Sequence, residues 1–225
     1  MNLAQLARGI RLFDGLSDEE VDDLLYRLNA VKRTFHKGEV IVHAGMKARH
    51  LLAVASGHLH VYIYPGAANK HPVIAREIAA GEVLGLWVLH VPEITCWSGT
   101  IVAAEDSVVV SLSMDSARRL FETAKPSTLR LSTNISKQLA EELFAAWRKL
   151  IVMSAPTLEE RVMVYLRELD SEGGNTGQVE LPFNRNRMAE YFGVMRPSIS
   201  RALCHLHDRG MLTWYRNVFR LARLP

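Results

Sequence analysis

The sequence predicts an α+β chain of two domains: an N-terminal β-roll, one long helix, and a small C-terminal winged helix-turn-helix. Three observations carry this. From Val31 to about Leu112 the chain runs in short alternating or β-branched stretches cut by glycines, which reads as strands and turns. After Pro126 apolar residues recur at steps of three and four, which reads as helix. The C-terminal stretch combines helix-capping signals, a turn glycine and a hairpin pattern among arginines.

Composition sets the frame for these elements. With 225 residues, 48% hydrophobic and 23% charged, the chain can bury two small cores. The N-terminus shows no charged-then-apolar signal pattern, and no apolar run reaches the eighteen or so residues of a membrane span, so the expected location is cytoplasmic, with no membrane partner.

Ser17-Asp18-Glu19-Glu20 is a capping box opening a short helix through Val21, Leu24, Leu25 and Leu28, ending near Asn29. Strands follow at Val40–Val42, Leu51–Ala55, Leu59–Tyr64, Val73–Ile78 and Val108–Leu112, with Gly38, Gly45, Gly57, Gly66 and Gly81 as punctuation. In the long helix Leu139, Leu143, Ala146, Leu150 and Met153 form one apolar seam. A seam needs a partner, and a helix of about seven turns favours a second subunit over its own β-domain. Pro156 ends that helix, and Thr157 with Glu160 caps the next, which runs to about Leu169. A polar loop, Ser171 to Gly177, leads to a short strand at Val179–Leu181; Asn184 then caps a helix through Phe192. The expected division is 1–125 for the sensing roll, 126–154 for the dimerisation helix and 155–225 for the C-terminal domain.

Ala189, Gly193 and Ile199 mark two helices crossing at a tight turn, with Pro197 in the first turn of the second. Burying Ile199, Ala202, Leu203 and Leu206 leaves Arg196, Pro197, Ser200 and Arg201 outward, where a recognition helix meets base edges. An arginine there can grip guanine through O6 and N7. Two runs, Leu212–Tyr215 and Val218–Leu221, flank Arg216-Asn217 as a hairpin wing. From residue 180 onward eight arginines face three carboxylates, a local balance of +5 against a whole-chain net charge of +3. The candidate contacts to double-stranded DNA are Arg185, Arg187, Arg196, Pro197, Ser198, Ser200, Arg201 and Arg216. No G-x-S-x-G, H-E-x-x-H or phosphate-loop motif is present, so no catalytic residue is assigned and an enzyme is not expected.

The chain resembles the family of the cyclic-AMP receptor protein and the anaerobic regulator FNR. The resemblance rests on blocks in their usual order: Leu12 to Ser17, Lys37 to Ile41, Gly57, Gly81 to Gly85, Ala104 to Ser107 and Arg196 to Leu203. It implies a cyclic-nucleotide-binding-like β-roll, a long dimer helix giving a homodimer, a winged DNA-binding domain reading a palindromic operator, and RNA polymerase as a partner. Arg196 and Arg201 fall on its phosphate- and base-contacting positions. Pro197 stands where the family often has glutamate, and Met195 where it usually has a Ser or Thr cap.

The resemblance also frames the effector, placed between the roll and the long helix near Gly81, Glu82, Leu86, Trp87, Trp97 and Ser98. Cyclic-nucleotide binders hold the phosphate with an Arg-Ser pair, which here aligns with Trp97-Ser98; an indole is no forked cation, so cyclic AMP is disfavoured. With only Cys96 and Cys204, an iron–sulfur cluster is excluded. Haem stays open, because His58 and His60 share a strand face with His90 nearby, although the haem-sensing branch keeps histidine where this chain has Trp87; no metal site is assigned. The effector is a small molecule of unknown identity. A regulatory module docking on a protein is the alternative to DNA binding.

Overall fold

The computed structural model describes residues 2–64, 72–91, 93–122, 125–181 and 184–222; Gly66 and Arg223 lie outside them. Two helices open the chain: α1 (Leu3–Ala7), boxed by Asn2 and Gln5, and α2 (Asp18–Arg27), boxed by Ser17 and Glu20 as the sequence predicts. Six strands follow: β1 (Val31–Phe35), β2 (Val40–Val42), β3 (His50–Ser56), β4 (His58–Ile63), β5 (Val73–Ala79) and β6 (Val83–Leu84). Then come α3 (Leu86–His90), β7 (Thr100–Ala103), β8 (Ser107–Ser113) and α4 (Met114–Leu120).

The strands form two four-stranded sheets, ordered β1-β8-β3-β6 and β2-β7-β4-β5. Register in the first is fixed by the pairs Val31↔Ser111 and Leu52↔Ser111, so Arg33, Leu52 and Ser111 share one face. Leu59, Ile78, Ile101 and Val109 are fully buried in the single core of the roll.

Helix α5 (Pro126–Ser154) runs 29 residues, and its first half sits on the roll. Leu131 and Ile135 join the core, and Gln138 Nε2 donates to the Val83 carbonyl at 2.5 Å. Arg11 bridges Glu82 at 2.8 Å and Glu141 at 2.7 Å, and Arg76 meets Glu142 at 2.7 Å. Burial pushes the Glu142 carboxyl above its usual range, against the pull of Arg76, because desolvation there outweighs the attraction.

The C-terminal half of α5 belongs to a second compact unit, which begins near Phe144 rather than at Ala155. Its further elements are α6 (Leu158–Glu172), β9 (Gln178–Glu180), α7 (Arg185–Phe192), α8 (Arg196–Asp208), β10 (Leu212–Tyr215) and β11 (Val218–Leu221). Val152 of α5 is wholly buried with Val162, Leu166, Ile199 and Phe219, which explains why the unit claims the end of the helix. Arg148 pairs with Glu168 and Glu172, and Lys149 stands 4.2 Å from the Tyr191 ring centre.

The middle of α5 presents an apolar face to solvent. Ala140, Leu143, Phe144, Trp147, Leu150 and Ile151 are all exposed or half-exposed, Leu143 at 72%. Ala146 is exposed beside them, whereas Leu139 and Met153, at the ends of the expected seam, pack on the roll core and on the second core. Among the described residues no helix is long and apolar enough to cross a membrane.

Candidate nucleic-acid interface and effector cavity

Helix α7 starts where Asn184 accepts from the Asn186 and Arg187 amides, and it stops at Gly193, whose φ of 65° makes the left-handed turn between the helices. Helix α8 then begins without a side-chain cap, since Met195 has no acceptor to offer. Pro197 removes one amide that would otherwise go unpaired, and the Ser198 amide donates to the Met195 carbonyl at 2.9 Å. The inner face of α8 is the predicted set, Ile199, Ala202, Leu203 and Leu206, each at most 2% exposed. Its register turns Arg196, Pro197 and Arg201 into solvent, with Ser198 and Ser200 half-buried beside them. His205 on the same helix meets Glu159 at the start of α6 at 3.1 Å.

The wing is a three-stranded sheet, β10-β11-β9, with Trp214↔Phe219 at its centre. Arg216 sits at its tip in a left-handed conformation, φ 54°, exposed and 5.4 Å from the Tyr215 ring centre. Arg185 lies 5.1 Å from the Trp214 ring centre, so the first turn of α7 is stacked on the wing. Arg187 lies on the same helix, two residues further on. All eight candidate DNA residues therefore lie on α7, α8 or the wing tip, within one unit.

The six expected pocket residues are not gathered in one place. Gly81 and Glu82 form a turn in which Glu82 is engaged by Arg11; Leu86 is fully buried, Trp87 half-buried and Ser98 exposed. Trp97 lines a cavity. That cavity, about 550 Å³, is walled by Arg33, Ile41, Val42, Met46, Lys47, Arg49, His50, Leu52, Trp97 and Ser111. None of these residues is on α5, so this space does not lie between roll and long helix as the sequence leads one to expect. A smaller space of about 80 Å³ does lie against α5, lined by Arg11, Asp14, Asn134, Lys137, Gln138 and Glu141.

Trp97 is 5% exposed and packs edge-on against Trp87, 6.2 Å between ring centres. It presses on Gly85, which has φ 99° and where a Cβ would stand 2.9 Å from the indole. Burial, followed by repulsion from Arg33 and Arg49, holds the His50 imidazole below its ordinary pKa, with Asp115 opposing. Arg33, Lys47, Arg49 and His50 belong to no motif in the sequence; only strand register and a loop bring them together. The two cysteines are free, Cys96 half-buried and Cys204 exposed on α8.

Known proteins resemble both units. Residues 32–124 match the family model for the cyclic nucleotide-binding domain, and residues 160–224 match the Crp-like helix-turn-helix domain. The chain is 23% identical over 198 residues to electron transport regulator A of Shewanella oneidensis, covering 86% of this chain and 74% of that protein. It is 21% identical to the transcriptional activator protein FnrA of Stutzerimonas stutzeri, again over 86% of this chain and 76% of the relative. Among solved structures, the c-di-GMP-responsive global regulator CLP of Xanthomonas campestris superposes with a TM-score of 0.72 at 19% identity, covering 92% of this chain and all of that one.

Proposed function

The chain belongs to the CRP/FNR family of transcription regulators, and from that premise we propose that it works in the cytoplasm as a homodimer gripping a palindromic operator, with the long helix as the dimer seam. It is an effector-responsive, DNA-binding regulator, of a non-enzymatic class. The observation that carries the operator reading is the register of α8, which buries one face completely and leaves Arg196 and Arg201 outward at its uncapped N-terminal end.

In this reading Arg201 reads a base edge in the major groove, Arg196 meets phosphate, and Arg216 on the wing meets the flanking backbone. Arg185 stiffens the wing by stacking on Trp214. Two copies of the exposed face around Leu143, Trp147 and Leu150 cover one another, which sets the two recognition helices in two-fold relation. RNA polymerase is the partner through which the bound dimer acts.

The effector is a small anion with an apolar or flat portion. Its support is the cavity itself: Arg33, Lys47, Arg49 and His50 supply positive charge, no wall residue is acidic, and Trp97 and Leu52 supply an apolar floor. Cyclic AMP is disfavoured as that effector, because Trp97 aligns with the arginine of the family's phosphate-holding pair.

A gel shift with increasing salt tests the reading. DNA binding predicts log affinity falling linearly with log salt, and loss of the sequence-specific complex in the R196A/R201A double variant. A protein-docking module predicts no shift on any duplex.

A further inference from the structure

We propose that His58, His60 and Glu77 form a binding site for a divalent transition metal of the zinc class. The site goes beyond the DNA-binding reading and does not depend on it. The period of a β-strand puts His58 and His60 on one face of β4, and β5 is the neighbouring strand of the same sheet. Glu77, on β5, reaches the two imidazoles from there. One ligand atom from each of the three side chains lies within 4.8 Å of the others.

The electrostatics ask for a cation. His58 Nε2 is buried and has no hydrogen-bond partner, and Glu77 Oε2 stands 3.6 Å away, beyond hydrogen-bonding reach. A buried imidazole nitrogen and a carboxylate oxygen that face one another without a hydrogen bond can both be satisfied by one cation placed between them. His60 is only 4% exposed, and its Nδ1 lies 3.2 Å from the Tyr62 hydroxyl, a contact that helps hold the ring in place.

The donor set selects the ion. Two imidazoles and one carboxylate suit zinc, nickel, copper or ferrous iron rather than magnesium or calcium, which prefer all-oxygen shells. Three protein ligands leave a fourth position open. Bonds of about 2.0–2.1 Å to a tetrahedral ion would bring the donors to roughly 3.3 Å from one another, a contraction that small side-chain rotations supply. His90 does not belong to the cluster; it faces Phe121, 6.3 Å between ring centres.

The test uses the full-length chain, freed of metal with a chelator and titrated with Co2+, then Zn2+, under visible absorption. The site predicts one Co2+ per chain with the intense bands of low-coordinate cobalt, displaced by Zn2+ and not by Mg2+. H58Q and E77Q, each checked for an unchanged melting curve, should bind about tenfold or more weakly. A double variant H36Q/H43Q, at histidines outside the cluster, should bind as the parent does. The proposal is overturned if the parent shows only the faint bands of hydrated cobalt, if both cluster variants bind unchanged, or if H36Q/H43Q removes the signal. No arm of this test involves DNA, so its failure leaves the operator reading untouched.

Discussion

At the scale of the residue, the arginines on α8 and the wing differ in what their removal should do. Arg201 is exposed on the first turns of α8, so R201A should weaken binding to the preferred operator by about 1–3 kcal/mol and barely alter binding to random duplex. Arg216 stands at the wing tip, so R216A should weaken all sequences alike and lower the salt slope by up to about one unit for each phosphate left without its cation. Fluorescence anisotropy on both duplexes separates the roles, and equal weakening on both by R201A would remove its base-reading role. His50 gives the cavity a pH signature. Its folded pKa is depressed, so below about 6.5 the folded chain resists a proton that the unfolded chain accepts, and stability falls as pH falls. A bound anion offsets the repulsion from Arg33 and Arg49, raises that pKa and couples binding to proton uptake. Calorimetry with a nucleoside monophosphate as the probe should show affinity rising as pH drops below about 6.5, and falling in R49A. An affinity independent of pH and of Arg49 would empty the cavity of this role.

At the scale of the element, periodicity and capping chemistry made α2 and α5 to α8 legible, while the short α1, α3 and α4 were not marked. Ser17, Thr157 and Asn184 each cap the helix they announce, because a side-chain acceptor three residues before a paired glutamate, or just before the first turn, needs no tertiary context. T157A should accordingly destabilise the second unit by about 1 kcal/mol, measured by denaturant unfolding. The inner face of α8 was legible for the same reason. Three short strands, β1, β6 and β7, were not marked by their residues: β1 is largely exposed, and β6 and β7 are too brief to show alternation. The seam on α5 was legible in its period but slightly rotated in its phase. Steps of three and four through Leu143 and Leu150 continue equally well to Leu139 or to Ala140, and only the packing of Leu139 on the roll separates them. Phe144, Trp147 and Ile151 belong to the exposed face, and the aromatic pair three residues apart was the available signal. If this face is the dimer seam, L143E/L150E should sediment as a monomer, since each buried leucine contributes about 1.5–3 kcal/mol. An unchanged dimer would assign the face to another partner.

At the scale of the whole molecule, one helix contributes to both cores. Leu131 and Ile135 are buried in the first and Val152 in the second, so α5 is a covalent link shared by the two units. An effector shifts DNA affinity only by the difference in its own affinity for the competent and incompetent arrangements. The outward placement of Arg196, Arg201 and Arg216 was legible in contiguous sequence, whereas the grouping of the cavity cations and the His58–Glu77 pairing were not. Those depend on strand register across residues far apart in the chain. The most direct test of the central claim is to select duplexes from a random pool with the purified chain, sequence them, and weigh the resulting complex. A dimer reading an operator should enrich an inverted repeat with half-site centres one helical turn apart, roughly 34–36 Å, bound by two chains, with no enrichment by R201A. A single unrepeated motif bound by one chain, or a pool that enriches nothing, would contradict that claim.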